Sequence, residues 1–185
     1  MSNNFNLDEN IEKNKWLLDK QLTWISNGDI KIGAIVTLNL AMLAGLAAFF
    51  NAKDALFLLD ILYTITAISI IVGICFCKMG FKPKFSPPNE SNIFFGTIIK
   101  KDLTAFIQEI DNLTKEDFSK DLANQVHRNA HIACIKYQYL SKATLTLVIT
   151  SILWAVTIGG TLFTNKYLII EKKNEKSTTI NVIKN

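Results

Sequence analysis

His127 and His131 stand four residues apart, the spacing at which two imidazoles share one helix face and can grip a divalent metal. The stretch reads HRNAH, with no Glu after the first His to act as a base and no third ligand nearby. A solvated or hydrogen-bonding pair is therefore the simpler reading, and no metal site is expected. Asn124, Arg128, Asn129, Lys136 and Tyr137 extend the pair into a polar strip. Arg, Lys and amide groups could hold a phosphate and read a base edge, while the Tyr137 ring could stack on a base. A solvated helix face accounts for the same residues, so Asn124, His127, Arg128, His131, Lys136 and Tyr137 are candidates for a ligand site rather than proof of one. Cys75, Cys77 and Cys134 form neither a disulfide ladder nor a CxxC metal site and read as thiols in a reducing compartment. Without a Gly-rich phosphate loop, a GxSxG elbow or a cysteine nucleophile with partners, neither enzyme activity nor a cofactor is expected.

The elements that would carry this strip are apolar helices. Ile32 to Phe50 and Ala143 to Phe163 are uncharged runs of about 20 residues, the length that crosses a bilayer's hydrocarbon core. Asn51 to Asp54 is too short a turn to host a domain, so the run from about Ala55 to Cys77 must return across the bilayer as a hairpin. Asp60 falls in the first turns of that second span, where a carboxylate near the interface costs far less than at the midplane, although an intramembrane acid is also a functional candidate. Gly33, Ala34, Ala41, Ala44, Gly45 and Ala48 are small enough to let another helix approach span one closely.

Before span one, Ile11, Trp16, Leu17, Leu18, Leu22, Trp24 and Ile25 recur at roughly helical spacing, predicting an amphipathic arm from Asn6 or Asp8 that breaks weakly at Ser26–Asp29. After span two, Lys78, Lys82 and Lys84 with Pro83, Pro87 and Pro88 form a basic linker incompatible with helix. Leu103, Phe106, Ile107 and Ile110 mark one short amphipathic helix. Thr114 with Asp117 marks the start of a second, whose stripe of Phe118, Leu122, Val126, Ala130, Ala133, Tyr137 and Leu140 runs without a breaker into span three. Phe118 to Phe163 would then be one helix of about 46 residues, roughly 69 Å long.

The expected architecture is an all-α membrane protein with three transmembrane helices. An amphipathic arm (1–29) precedes a hairpin (30–78, with spans at about 32–50 and 55–77), followed by a small helical insert (79–142), a third span (143–163) and a mobile polar tail (164–185). Composition agrees: 49% hydrophobic residues are too many for an ordinary soluble domain, and 19% charged residues too many for a bundle lying wholly in lipid. The net charge of +4 comes from lysine, Arg128 being the only arginine, which argues against nucleic acid as a partner. Lys20, Lys31, Lys78, Lys82, Lys84, Lys136 and Lys142 flank the spans on the loop side, against Lys53 and the tail lysines 166, 172, 173 and 176, so the arm and insert are expected in the cytoplasm. The acidic N-terminus, MSNNFNLDENIEKNK, lacks the apolar core of a cleavable signal peptide, and span one is expected to act as an uncleaved anchor.

The segments WISNGDIKIGAIVTLNLAMLAG (Trp24 to Gly45), NIFFG (Asn92 to Gly96) and DLANQVHRNAHIACIKYQYLSKA (Asp121 to Ala143) resemble the transmembrane effector family of bacterial Pycsar anti-phage systems, in order and spacing, over about residues 10 to 163. The resemblance implies a partner nucleotide cyclase that makes cCMP or cUMP on infection. It also implies an effector that senses that cyclic nucleotide and impairs the inner membrane, so that the infected cell stops growing or dies by abortive infection. Similar membrane effectors serve cyclic-oligonucleotide defence, so the nucleotide stays open, and no residue-level ligand motif carries over. Three spans are too few to enclose a wide pore, so membrane damage implies a homo-oligomer in the lipid bilayer. The competing class is a non-signalling membrane protein whose cytoplasmic helices dock a partner protein. A small transporter is disfavoured because the spans lack paired intramembrane charges and broken helices.

Overall fold

The computed structural model describes residues 2–50, 57–82 and 91–183. The expected turn at 51–54 and the proline linker from Pro83 to Pro88 lie outside the described residues. Five helices follow in order: α1 (Ser2–Phe50), α2 (Phe57–Phe81), α3 (Phe95–Ile98), α4 (Leu103–Asp111) and α5 (Lys115–Ile183). No strand occurs among the described residues. The protein is an all-α membrane protein in which α1, α2 and α5 are long and apolar enough to cross a bilayer.

Local chemistry accounts for the helix starts. Asp102 caps α4 by accepting a hydrogen bond from the Thr104 amide at 3.0 Å. Thr114 caps α5: its hydroxyl accepts from the Asp117 amide at 3.1 Å, the first half of the capping box that the Thr114/Asp117 spacing predicts, while the Asp117 carboxylate accepts from the Thr114 hydroxyl at 2.6 Å instead of from its backbone amide. Glu116 and Asp117 place negative charge where the α5 dipole favours it. Asp60 does the same in the first turn of α2. Beyond Phe163, where span three was expected to end, α5 continues as helix to Ile183.

The chain divides into two compact units, one of residues 1–32 with 79–140 and one of residues 33–78 with 141–185. In the first, α1 and α5 run parallel: Lys115 pairs with Asp8 at 2.8 Å, Asn14 Nδ2 donates to the Ser119 carbonyl at 3.5 Å, and Lys136 pairs with Asp29. Ile11, Asn14, Leu18, Gln21, Ile25, Gly28 and Ile32, all buried or half-buried, alternate steps of three and four as in a coiled-coil seam, with Leu7, Lys20 and Asp29 half-buried beside it. One column of that seam is apolar (Ile11, Leu18, Ile25, Ile32), whereas the other is Asn14, Gln21 and Gly28. Polar layers of this kind fix register at a cost in stability. The sequence stripe differs: Trp16, Leu22 and Trp24 are all at least half exposed. The expected break at Ser26–Asp29 is also absent, because Gly28 lies against the Lys136 methylenes and Asp29 is held by the Lys136 ammonium. These contacts offset the helix penalty of about 1 kcal/mol for one glycine.

In the second unit α2 runs antiparallel to α1 and to α5. Leu46, Tyr63, Ile70 and Ile158 form the buried cluster, with Met42, Phe49 and Trp154 packed on it. The outward faces carry Ile61, Ile65, Ile68, Val72, Leu145, Val148, Ile152 and Val156, all exposed, as a surface meeting lipid requires.

Candidate functional site

The six sequence candidates do not gather on one surface of α5. Asn124, His127 and His131 share its exposed face. Arg128 turns toward the insert, its guanidinium 4.2 Å from the centre of the Phe94 ring. Lys136 is buried, 8% exposed, and its ammonium is committed to Asp29. Tyr137 faces α1, where Lys31 sits 6.0 Å over its ring. Among the described residues no group of three or more His, Cys, Asp or Glu side chains could hold a metal.

Tyr137 lines a groove of about 410 Å³ between α1 and α5, together with Gln21, Trp24, Ala130, Ala133 and Cys134. This volume is in the range of small-ligand sites. Ala130 and Ala133 are small and leave room beside Trp24 and Tyr137, aromatic side chains of the kind that stack on bases. Gln21 supplies an amide that can both donate and accept, and Lys31 supplies a positive charge at the rim. A flat heteroaromatic ring bearing one anionic group fits this chemistry. Of the sequence candidates only Tyr137 lines this groove; Gln21 and Trp24 come to it from the arm, whose pairing with α5 depends on the heptad register. The signal was present in the Ile11, Leu18, Ile25, Ile32 repeat. A second groove, of about 470 Å³, is lined by Asn92, Gln108, Glu109, Asn112 and Asp117 among others, and its carboxylates repel an anion.

The NIFFG segment is fastened to α5 beside this surface by one hydrogen-bonded node. The Ser91 hydroxyl donates to Asp121 at 3.0 Å and accepts from the amides of Ile93 and Phe94, each at 3.1 Å, and from Gln125 Nε2 at 3.0 Å. The Asn92 amide donates to the same Asp121 carboxylate at 2.9 Å. Thr97 closes the turn by donating to the Ser91 carbonyl at 2.7 Å. A Cβ at Gly96 would come within 2.5 Å of the Phe94 ring and displace it, the ring on which Arg128 rests. Asp121→Ala should loosen this turn by about 1.5–3 kcal/mol, the range for hydrogen bonds to a charged group. Amide hydrogen exchange at Asn92 to Phe94 should rise at least tenfold, and unchanged protection would show that Asp121 does not hold the turn.

Compared with known proteins, residues 14–162 match the family model described as PycTM, the Pycsar effector protein domain. No curated protein and no solved structure matches the chain.

Proposed function

The chain belongs to the Pycsar effector family, and from that premise we propose that it senses a cyclic pyrimidine mononucleotide, cCMP or cUMP, made by a partner cyclase, and responds by impairing the inner membrane. Membership of the family makes it a membrane effector of anti-phage defence. The finer reading rests on the groove: Trp24 and Tyr137 stack the base, Gln21 meets its polar edge, and Lys31 takes the phosphate at the rim. In this reading Lys136 holds Asp29 beneath the groove rather than touching the ligand, and Arg128 positions the NIFFG turn.

Binding in a seam with polar layers would shift an equilibrium of that seam, and α5 carries the change along its own axis into span three. Arm and insert lie in the cytoplasm, where the cyclase works, and copies of the chain act together, since three spans enclose no wide pore. The result is growth arrest or death of the infected cell.

The test is membrane potential, followed with a voltage-sensitive dye in cells that express the protein while an inducible cyclase makes cCMP or cUMP. One of the two should depolarise the cells, and Trp24→Ala and Tyr137→Ala should each require about 5- to 150-fold more of it. This follows from about 1–3 kcal/mol for a base–aromatic stack. Depolarisation by neither nucleotide would sink the reading, and unchanged dose responses in both variants would remove the groove as the binding site.

A further inference from the structure

Along the facing sides of α2 and α5 the membrane-spanning unit buries a column of hydroxyls. Tyr63 and Thr161 meet at 3.1 Å, Thr66 and Thr157 at 2.9 Å, and Ser69 and Thr150 at 2.6 Å. Thr66, Thr150, Thr157 and Thr161 are fully buried. Asn39 of α1 continues the column: a Cβ on Gly73 would lie 3.2 Å from the Asn39 Oδ1 and 3.5 Å from a Thr146 methyl. Asn39 Nδ2 donates to the Ile35 carbonyl at 2.9 Å, and its Oδ1 is buried with no hydrogen-bond partner. A buried amide oxygen without a donor, at the end of a file of hydroxyls, is chemistry suited to water.

Valine would fill the threonine positions with the same shape, and lipid-facing surfaces of the same helices are Ile, Leu and Val. Packing alone therefore does not call for this column. Its hydrogen bonding is also of an unusual, two-way kind. Thr66 donates to the Leu62 carbonyl at 2.7 Å, Thr157 to the Leu153 carbonyl at 2.8 Å and Thr161 to the Thr157 carbonyl at 2.9 Å. A hydroxyl has one hydrogen, so each of these threonines has two acceptors available for it, the facing oxygen or the carbonyl of its own helix. If α2 and α5 part, each of the three still has its helix carbonyl, whereas the Tyr63 hydroxyl loses Thr161 and calls for water in its place.

We propose that this column is the lining of a water and small-ion conduit, closed upon itself in the resting chain and exposed when activated copies of the chain rearrange α2 against α5. The proposal rests on the membrane-impairing reading above and names the surface through which the damage passes. The column from Asn39 to Thr161 carries no charged side chain, so the conduit should discriminate weakly between cations and anions.

Introduced cysteines test it, in full-length protein whose Cys75 and Cys77 are replaced by serine or alanine, with Cys134 kept and its labelling in that parent subtracted, and which still depolarises cells on nucleotide production. Thr157→Cys should react with a charged, membrane-impermeant thiosulfonate at least tenfold faster after activation than before, and the reaction should block the ion leak. Val156→Cys, on the lipid-facing side and 53% exposed, should react slowly in both states. Equal labelling of Thr157→Cys before and after activation, or labelling no faster than at Val156→Cys while the cells depolarise normally, would overturn the conduit and leave the functional reading standing. Absence of depolarisation in the parent chain would overturn both.

Discussion

Lys136→Glu should unfold the packing of α1 on α5 while leaving the apolar spans able to insert. The Lys136 side chain is 10% exposed and its ammonium pairs with Asp29, itself 37% exposed. A glutamate there sets two carboxylates together where little water can screen them. Breaking a fully buried pair costs about 3–5 kcal/mol, and the partial exposure of Asp29 reduces this to about 2–3 kcal/mol. Lys136→Met should cost less, since its methylenes keep the contact that the Gly28 backbone makes and Asp29 can turn toward solvent. The exchange Asp29→Lys with Lys136→Asp should recover part of the loss. Limited proteolysis of the detergent-solubilised protein measures the order, parent, then methionine, then glutamate in resistance. If Lys136→Glu were as resistant as the parent and merely less responsive to nucleotide, Lys136 would be a ligand group after all and not the anchor of the arm.

The second large effect is expected from Gly45→Leu, and its cause lies within one chain. Even a Cβ at position 45 would lie 3.0 Å from Trp154 Cζ2 and 3.6 Å from the indole nitrogen, which donates to the Met42 carbonyl at 2.9 Å. Leucine drives three further carbons toward that ring. Overpacking costs about 1–3 kcal/mol, and losing the indole hydrogen bond adds about 0.5–1.5 kcal/mol. With Trp16 and Trp24 replaced by phenylalanine, Trp154 fluorescence should shift and the thermal transition fall. Gly33→Leu and Gly159→Leu make the contrast, since a Cβ at either position meets nothing within 4 Å. They should leave the single chain as stable as the parent, so any loss of membrane damage in them reports contact between copies. A Gly45→Leu chain with parental stability would return Gly45 to such an interface.

The spans, the continuity of α5 from its Thr114 cap into the bilayer and the absence of strands among the described residues were all legible in the amino-acid sequence. Each depends on properties local to the chain. An uncharged run of about 20 residues is committed to crossing lipid whatever it packs against. A threonine three residues before an aspartate accepts that aspartate's amide and so caps its own helix. A stretch without proline or a strong breaker has no reason to leave the helix.

What the tertiary structure alone decided is which face of each helix is inside. In water, apolar periodicity points inward, but the arm breaks that rule: Trp16 and Trp24 are exposed while Asn14 and Gln21 sit in the seam, because the heptad register with α5 selects the contact. In the bilayer the rule fails more completely, since lipid is as apolar as a leucine core and gives no preference for burying one over the other. Thr66, Thr150, Thr157 and Asn39 are buried because polar groups find their partners on the neighbouring helix or their own, and which neighbour they meet depends on the rotation of helices far apart in the chain. The same rotation turns Gly45 inward onto Trp154 and leaves Gly33 facing out, although both are glycines in one apolar run.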